Sequence, residues 1–209
     1  MAGLTFYTNP MSRGQIVRWM LEEVGVPYEQ VLLEYGTTMK GDDYLAVNPM
    51  GKVPAIRHDG KVVTECAAIC AYLADAFPEA ELAPKDDAER ADYYRWMFFA
   101  SGPVEQAITN RNFGFKTDDE QERMAGYGNY DLAVAALGTA VTGRDYICGD
   151  RFTAADVYVG SQIDWGIQFE TLPKTPAFEA YAARLRERDA YKSAKAIDAA
   201  LMPEQPAAG

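Results

Sequence analysis

Residues 48–78 read NPMGKVPAIRHDGKVVTECAAICAYLADAFP, and the fold turns on this stretch. Two β-prone runs, Val53–Arg57 and Lys61–Thr64, flank Asp59-Gly60, a dipeptide suited to a tight hairpin turn. Ala68, Ile69, Tyr72, Leu73, Ala76 and Phe77 then share one helix face, and Pro78 stops that helix. Upstream, Leu4–Tyr7 is a short β-prone run broken by Asn9-Pro10. Between Ser12 and Val24 the apolar residues Ile16, Val17, Met20, Leu21 and Val24 recur at helical spacing, and Gly25 stands where a glycine ends a helix. Tyr28–Leu33 reads as a second strand. The order over residues 1–77 is β-α-β-(loop)-β-β-α, which predicts a compact α/β domain.

Beyond Pro78 the pattern changes. Residues 78–87, with two prolines and several charges, read as a linker, and 88–201 as an all-helical domain. Helices are expected at about 88–112, 118–142, 153–167, 176–188 and 191–200. Thr153-Ala-Ala-Asp156 has the form of a capping box, in which the Thr hydroxyl takes a backbone N–H that the helix leaves unpaired. The Pro/Ala-rich stretch 202–209 is expected to fray.

Composition excludes whole classes of function. Twenty Lys and Arg against 31 Asp and Glu give a net charge of −11, the wrong sign for nucleic acid or an anionic membrane surface. No apolar run approaches the roughly 18 residues that a membrane span needs. The opening residues show no secretory signal, so a cytoplasmic location is expected. Cys66, Cys70 and Cys148 make an odd count without a CxxC, which suits a reducing compartment. His58, the one histidine, is expected as an exposed turn residue. A Ser-His-Asp or Cys-His centre therefore has no support, and no metal site is expected. Neither GxGxxG nor GxxxxGK[ST] occurs.

Three motifs, in this order and spacing, carry a resemblance over nearly the whole chain: Asn48-Pro-Met-Gly-Lys-Val-Pro54, the acidic Glu65 opening a helix, and Phe152-Thr-Ala-Ala-Asp156. With Ser12 after the first strand, the chain resembles bacterial, serine-type members of the glutathione transferase family. The resemblance implies a thioredoxin-like α/β N-terminal domain followed by an all-α C-terminal domain. It also implies a cytosolic homodimer that uses glutathione as cosubstrate, with no tightly bound cofactor. The other substrate would be a small apolar electrophile held against the helical domain.

Each motif residue then acquires an expected role. Val53 and Pro54 correspond to the family's cis-proline step, where the Val53 backbone would pair with the peptide-like ligand as a strand edge does. Glu65 and residue 66 open a helix whose free N–H groups favour an anion. Glu65 would meet the ligand's ammonium and residue 66 its carboxylate. The family usually has serine at the latter position, and Cys66, a weaker donor, stands here instead. Lys40 and Lys52 would pair with the glycine carboxylate. Ser12 is expected both to cap the first helix and to donate its free O–H to the glutathione sulfur. Tyr7, in the strand region where other members carry a tyrosine donor, is the rival. Asn9 and Arg13 stand as electrostatic helpers. Phe113, Phe115 and Trp165 are candidates for the electrophile pocket. The alternative reading is a non-catalytic binding or interaction module of the same fold. A thiol reductase is disfavoured, since Ser12 holds the place where such relatives present cysteine.

Overall fold

The computed structural model describes residues 3–202, so all of the 202–209 tail beyond Met202 lies outside the described residues. The chain divides into two compact units: residues up to Ala80 together with those from Arg188 onward, and Glu81–Glu187.

The first unit is built on β1 (Leu4–Thr8), α1 (Gly14–Val24) and β2 (Glu29–Leu32), with β2 parallel to β1. A 3-10 turn at Thr38–Lys40 and a one-turn helix α2 (Asp42–Leu45) occupy the segment expected to be loop. β3 (Ala55–His58), β4 (Lys61–Thr64) and α3 (Cys66–Ala76) complete the β-β-α half. The sheet order is β2-β1-β3-β4, with β3 antiparallel to both neighbours. Period-two alternation buries Leu4, Phe6 and Thr8 of β1 and sends Tyr7 to the other face. There Tyr7 and Val53 pack on a cluster of Leu33, Met39, Tyr44, Val47 and Ala55. Asp59 and Gly60, with φ of 48° and 78°, make the expected hairpin turn. His58 is not an exposed turn residue. It ends β3, its Nδ1 lies 2.9 Å from the Tyr72 hydroxyl, and its ring leans on Phe77 at 5.2 Å.

The second unit holds α4 (Asp87–Phe99), a wide π-helical turn at Ala100–Val104, and α5 (Glu105–Asn112). The sequence predicted one helix over this span. The wide turn contains Pro103, which supplies no N–H to the helical ladder and forces it to open. The expected 118–142 helix likewise divides into α6 (Asp119–Met124) and α7 (Tyr130–Val141). Gly128 at φ 64° turns the chain between them, and Asp118 and Asn129 cap the two starts. α8 (Ala154–Gln168) is buried along almost its whole length and packs on α9 (Pro176–Arg186). Gly160 and Gly166 allow this, because a Cβ at either place would collide with Leu185 or Leu172. The Thr153–Asp156 capping box is present, and Asp156 also accepts from Ile147 N at 2.7 Å and from the Tyr181 hydroxyl at 2.6 Å.

The sequence pattern places the last helix, α10 (Asp189–Ala200), in the helical half. It belongs with the first unit and packs along α1. The reason lies in polar pairs that spacing cannot reveal. Arg18 is 1% exposed and donates to Asp198 Oδ1 at 2.7 Å, while Arg188 makes a two-pronged bond to Glu23 at 2.6 and 2.7 Å.

Candidate active site

Strand register gathers the motifs. Thr8 pairs with Leu32, Tyr7 with Ala55, and Ala55 with Thr64. The turn leaving β1, the bend entering β3 and the step from β4 into α3 therefore lie at one end of the sheet. Ser12, Val53-Pro54 and Glu65-Cys66 sit on those three connections.

The Ser12 turn is tightly bonded to itself. Ser12 Oγ accepts from Gly14 N, the first residue of α1, at 2.9 Å, while the N-cap position itself is Arg13, whose side chain caps nothing. The Ser12 O–H donates to the Asn9 carbonyl at 2.6 Å, so the hydroxyl is not free, contrary to the sequence reading. Asn9 in turn donates through Nδ2 to the Leu33 carbonyl at 2.8 Å and accepts from Met11 N at 2.9 Å. Gly14 is required, because a Cβ there would drive into the Thr8 hydroxyl. Tyr7 lies on the opposite face of β1 from Thr8. Its ring is 5.6 Å from that of Tyr44, and the Arg57 guanidinium stands 5.9 Å from its centre.

The start of α3 has the features of an anion site. Glu65, exposed, takes φ 67° and ψ 119°, a left-handed conformation costly for a residue with a Cβ. Its side chain caps nothing. Among the described residues no acceptor faces the Ala67 and Ala68 N–H groups of the first turn, which the helix dipole makes electropositive. Cys66, 8% exposed, turns its thiol to the Arg13 carbonyl at 3.5 Å. That contact joins the α3 start directly to the Ser12 turn.

The Val53–Pro54 peptide is cis. Val53 is half-buried, and among the described residues its backbone N–H and carbonyl make no hydrogen bond. The preceding Lys52 carbonyl, by contrast, is held by the Tyr44 hydroxyl at 2.6 Å and Asn48 Nδ2 at 2.8 Å. Burial pushes the Tyr44 hydroxyl up to about 12, so it stays a donor at neutral pH. Tyr44 and Asn48 position this bend, and the sequence reading assigned neither a role. Lys52 is exposed. Lys40 is engaged within the protein, donating to the Met50 and Gly51 carbonyls at 3.1 and 2.9 Å. Gly51, at φ 56°, allows this, since a Cβ there would crowd the lysine stem and the Met39 carbonyl.

The pocket candidates of the helical unit form two separate ring pairs. Phe113 and Phe115, 70% and 64% exposed, meet edge to face at 6.2 Å, and half-buried Trp165 meets Phe169 at the same distance. A cleft of about 380 Å³ in this unit is lined instead by residues that include Arg111, Tyr130, Val134 and Leu172.

A profile for the "Glutathione S-transferase, N-terminal domain" family matches residues 11–76. Glutathione S-transferase GstA of Escherichia coli O157:H7 is 32% identical over 152 residues, covering 71% of this chain and 74% of that protein. A solved glutathione transferase from Methylococcus capsulatus matches with a TM-score of 0.76 at 28% identity, over 94% of this chain and 99% of that one. A sphingomonad glutathione S-transferase, solved in complex with glutathione, matches with a TM-score of 0.75 at 29% identity, over 93% and 98% of the two chains. The chain belongs to the glutathione transferase family, and it is an enzyme of that family. Its thioredoxin-like first unit and predominantly helical remainder are those the sequence motifs implied. No helix among the described residues is long and apolar enough to cross a membrane.

Proposed function

We propose that this enzyme binds glutathione at the sheet end described above and lowers the pKa of its thiol, so that the thiolate attacks an apolar electrophile. The sulfur forms a bond to the electrophilic carbon, and the electron pair leaves with the displaced group or on the activated bond. The observation that carries this reading is the contact of Cys66 with Arg13, which sets an uncapped helix start against the Ser12 turn. A ligand with a carboxylate at one end and a thiol further along suits that arrangement.

In this reading the γ-glutamyl carboxylate takes the Ala67 and Ala68 N–H groups, with Glu65 at the ammonium. The Val53 backbone pairs with the ligand's peptide, and Lys52 takes the glycine carboxylate. Lys40, bonded to two carbonyls, braces the loop that carries Lys52. Ser12 activates the sulfur and Tyr7 does not, because Tyr7 is packed against Tyr44. Phe113, Phe115 and Trp165 remain candidates for contact with the electrophile. A cytoplasmic homodimer is part of the same proposal.

The strength of activation follows from the bonds Ser12 already makes. A hydrogen bond to a charged sulfur is worth about 1.5–3 kcal/mol, and giving up the bond to Asn9 costs about 0.5–1.5 kcal/mol. The net is about 1 kcal/mol, slightly less than one pKa unit. Glutathione titrated against the protein across pH, followed by thiolate absorbance, should show a bound thiol pKa about one unit or more below the free value, since the α1 start adds to the serine. Ser12→Ala should return most of that unit. Binding with an unmoved thiol would defeat the transferase mechanism and favour the non-catalytic module.

A further inference from the structure

We propose that Gln15 is a positioning residue for the Ser12 turn, held in its working orientation by Lys195 of α10. The proposal rests on the reading of Ser12 as the group that meets the sulfur. Gln15 lies half-buried in the first turn of α1. Its Nε2 donates to the Pro10 carbonyl at 2.6 Å, and its Oε1 accepts from Lys195 Nζ at 2.8 Å. An ammonium can only donate, so the amide oxygen must face Lys195 and the NH₂ must face Pro10. The charge on Lys195 also polarises the amide and strengthens its bond to the loop.

That bond braces the turn at Pro10, while the Met11 carbonyl accepts from the Tyr35 hydroxyl at 3.4 Å and the Arg13 carbonyl from the Cys66 thiol at 3.5 Å. Asn9 fixes its own end through the Leu33 carbonyl, and its backbone carbonyl holds the Ser12 hydroxyl. The next carbonyl along, Pro10, is held by Gln15. The turn is thus gripped from β2's side by Asn9 and from α10's side by Gln15, with Ser12 following directly. Lys195 is itself placed by packing. Its ammonium lies 5.4 Å from the Tyr191 ring centre, and Tyr191 meets Trp19 of α1 edge to face at 5.1 Å. The carboxylates of Glu22 and Asp198 lie on the same α1–α10 seam, bonded to Ser193 and Arg18. A side chain near the end of the chain therefore governs the geometry of a loop near its beginning.

The test uses the full chain in six forms: wild type, Ser12→Ala, Gln15→Ala, Gln15→Glu, Lys195→Met and Lys195→Arg. Two readouts are taken, namely amide hydrogen exchange over residues 9–13 and the thiolate titration of bound glutathione. Gln15→Ala should speed exchange in the turn and raise the bound thiol pKa by up to about half a unit, a factor of about three, and by no more than Ser12→Ala does. Gln15→Glu, which sets a carboxylate oxygen against the Pro10 carbonyl, should do at least as much. Lys195→Met should give a smaller change in the same direction, and Lys195→Arg should stay near wild type. Glutathione affinity should move by less than about threefold, because none of these groups is placed on the ligand. Wild-type exchange and thiol pKa in both Gln15 variants would overturn the proposal. Equal losses in Lys195→Arg and Lys195→Met would overturn the part given to the ammonium. Faster exchange in Gln15→Ala together with a thiol indifferent to Ser12→Ala would keep the clamp and reject the reading of Ser12.

Discussion

Ser12 and Cys66 both spend their donors inside the protein before any ligand arrives. The Ser12 hydroxyl gives its proton to Asn9, and the Cys66 thiol gives its own to Arg13. A ligand must compete with these bonds, and the two residues compete differently. The serine bond is short, whereas a thiol is a weak donor, and 3.5 Å to a carbonyl oxygen is a loose contact. Replacing Cys66 with serine installs a stronger donor at the α3 start. The expected outcome of Cys66→Ser is glutathione binding tighter by about three- to tenfold, measured by calorimetry, with the bound thiol pKa unchanged. Unchanged affinity would mean that the backbone N–H groups alone hold the carboxylate. The residue types at this site were readable from the sequence, since Ser12, Val53-Pro54 and Glu65 sit in a recognisable order. Their bonding was not. Nothing in the chain's local pattern says that the Ser12 proton is already taken, or that Lys40 is turned to two carbonyls and not to solvent.

Among the elements, α1 carries the greatest burden. Its first N–H, from Gly14, holds the Ser12 oxygen, and the helix packs on α3 and along α10. Periodicity revealed the helix, because Ile16, Val17, Met20 and Leu21 are fully buried. It could not reveal the partner of Arg18, which is 180 residues away in sequence. Arg18 is 1% exposed and reaches Asp198 at 2.7 Å, Tyr28 at 3.0 Å and Gln30 at 2.5 Å, with its guanidinium over the Phe6 ring. Burial raises the Asp198 carboxyl above its ordinary value, with Arg18 pulling against that, and Asp198 Oδ2 is buried without a partner. Such a pair is costly to break from one side. Arg18→Met should destabilise the chain by about 3–5 kcal/mol in urea unfolding, because it strands a buried carboxylate. Adding Asp198→Leu should recover at least half of that loss, while an additive double mutant would show the pair to be no unit. The same limit of local pattern explains the split helices. Pro103 was visible, but a proline can kink, widen or end a helix, and tertiary packing makes the choice.

Across the whole molecule, a surplus of acid is offset at a few fixed cations. Arg151 is one: it forks onto Glu89 at 3.1 and 2.5 Å and also bonds the Glu81 and Ala83 carbonyls, tying the start of the helical unit to the segment before α8. The bond from Arg151 holds the Glu89 carboxyl below its ordinary 4.5. A carboxyl lowered on folding stabilises the native state above its unfolded pKa and loses that contribution as pH falls through its folded one. The stability gap between wild type and Arg151→Met should therefore be constant from pH 6 to 8 and shrink below about 4.5. Urea midpoints across that range measure it, and a gap unchanged down to pH 3 would assign Arg151 to packing alone. The seam between α1 and α10 also bears on how the chain is made. At synthesis rates of about 5–20 residues per second, on the order of ten seconds separate the emergence of Ala80 from that of Asp198. Through that interval the emerged residues of the first unit lack the carboxylate for Arg18 and the ammonium for Gln15. The ribosome thus delivers most of the first unit early, and the helix that closes it only after the whole of the second unit.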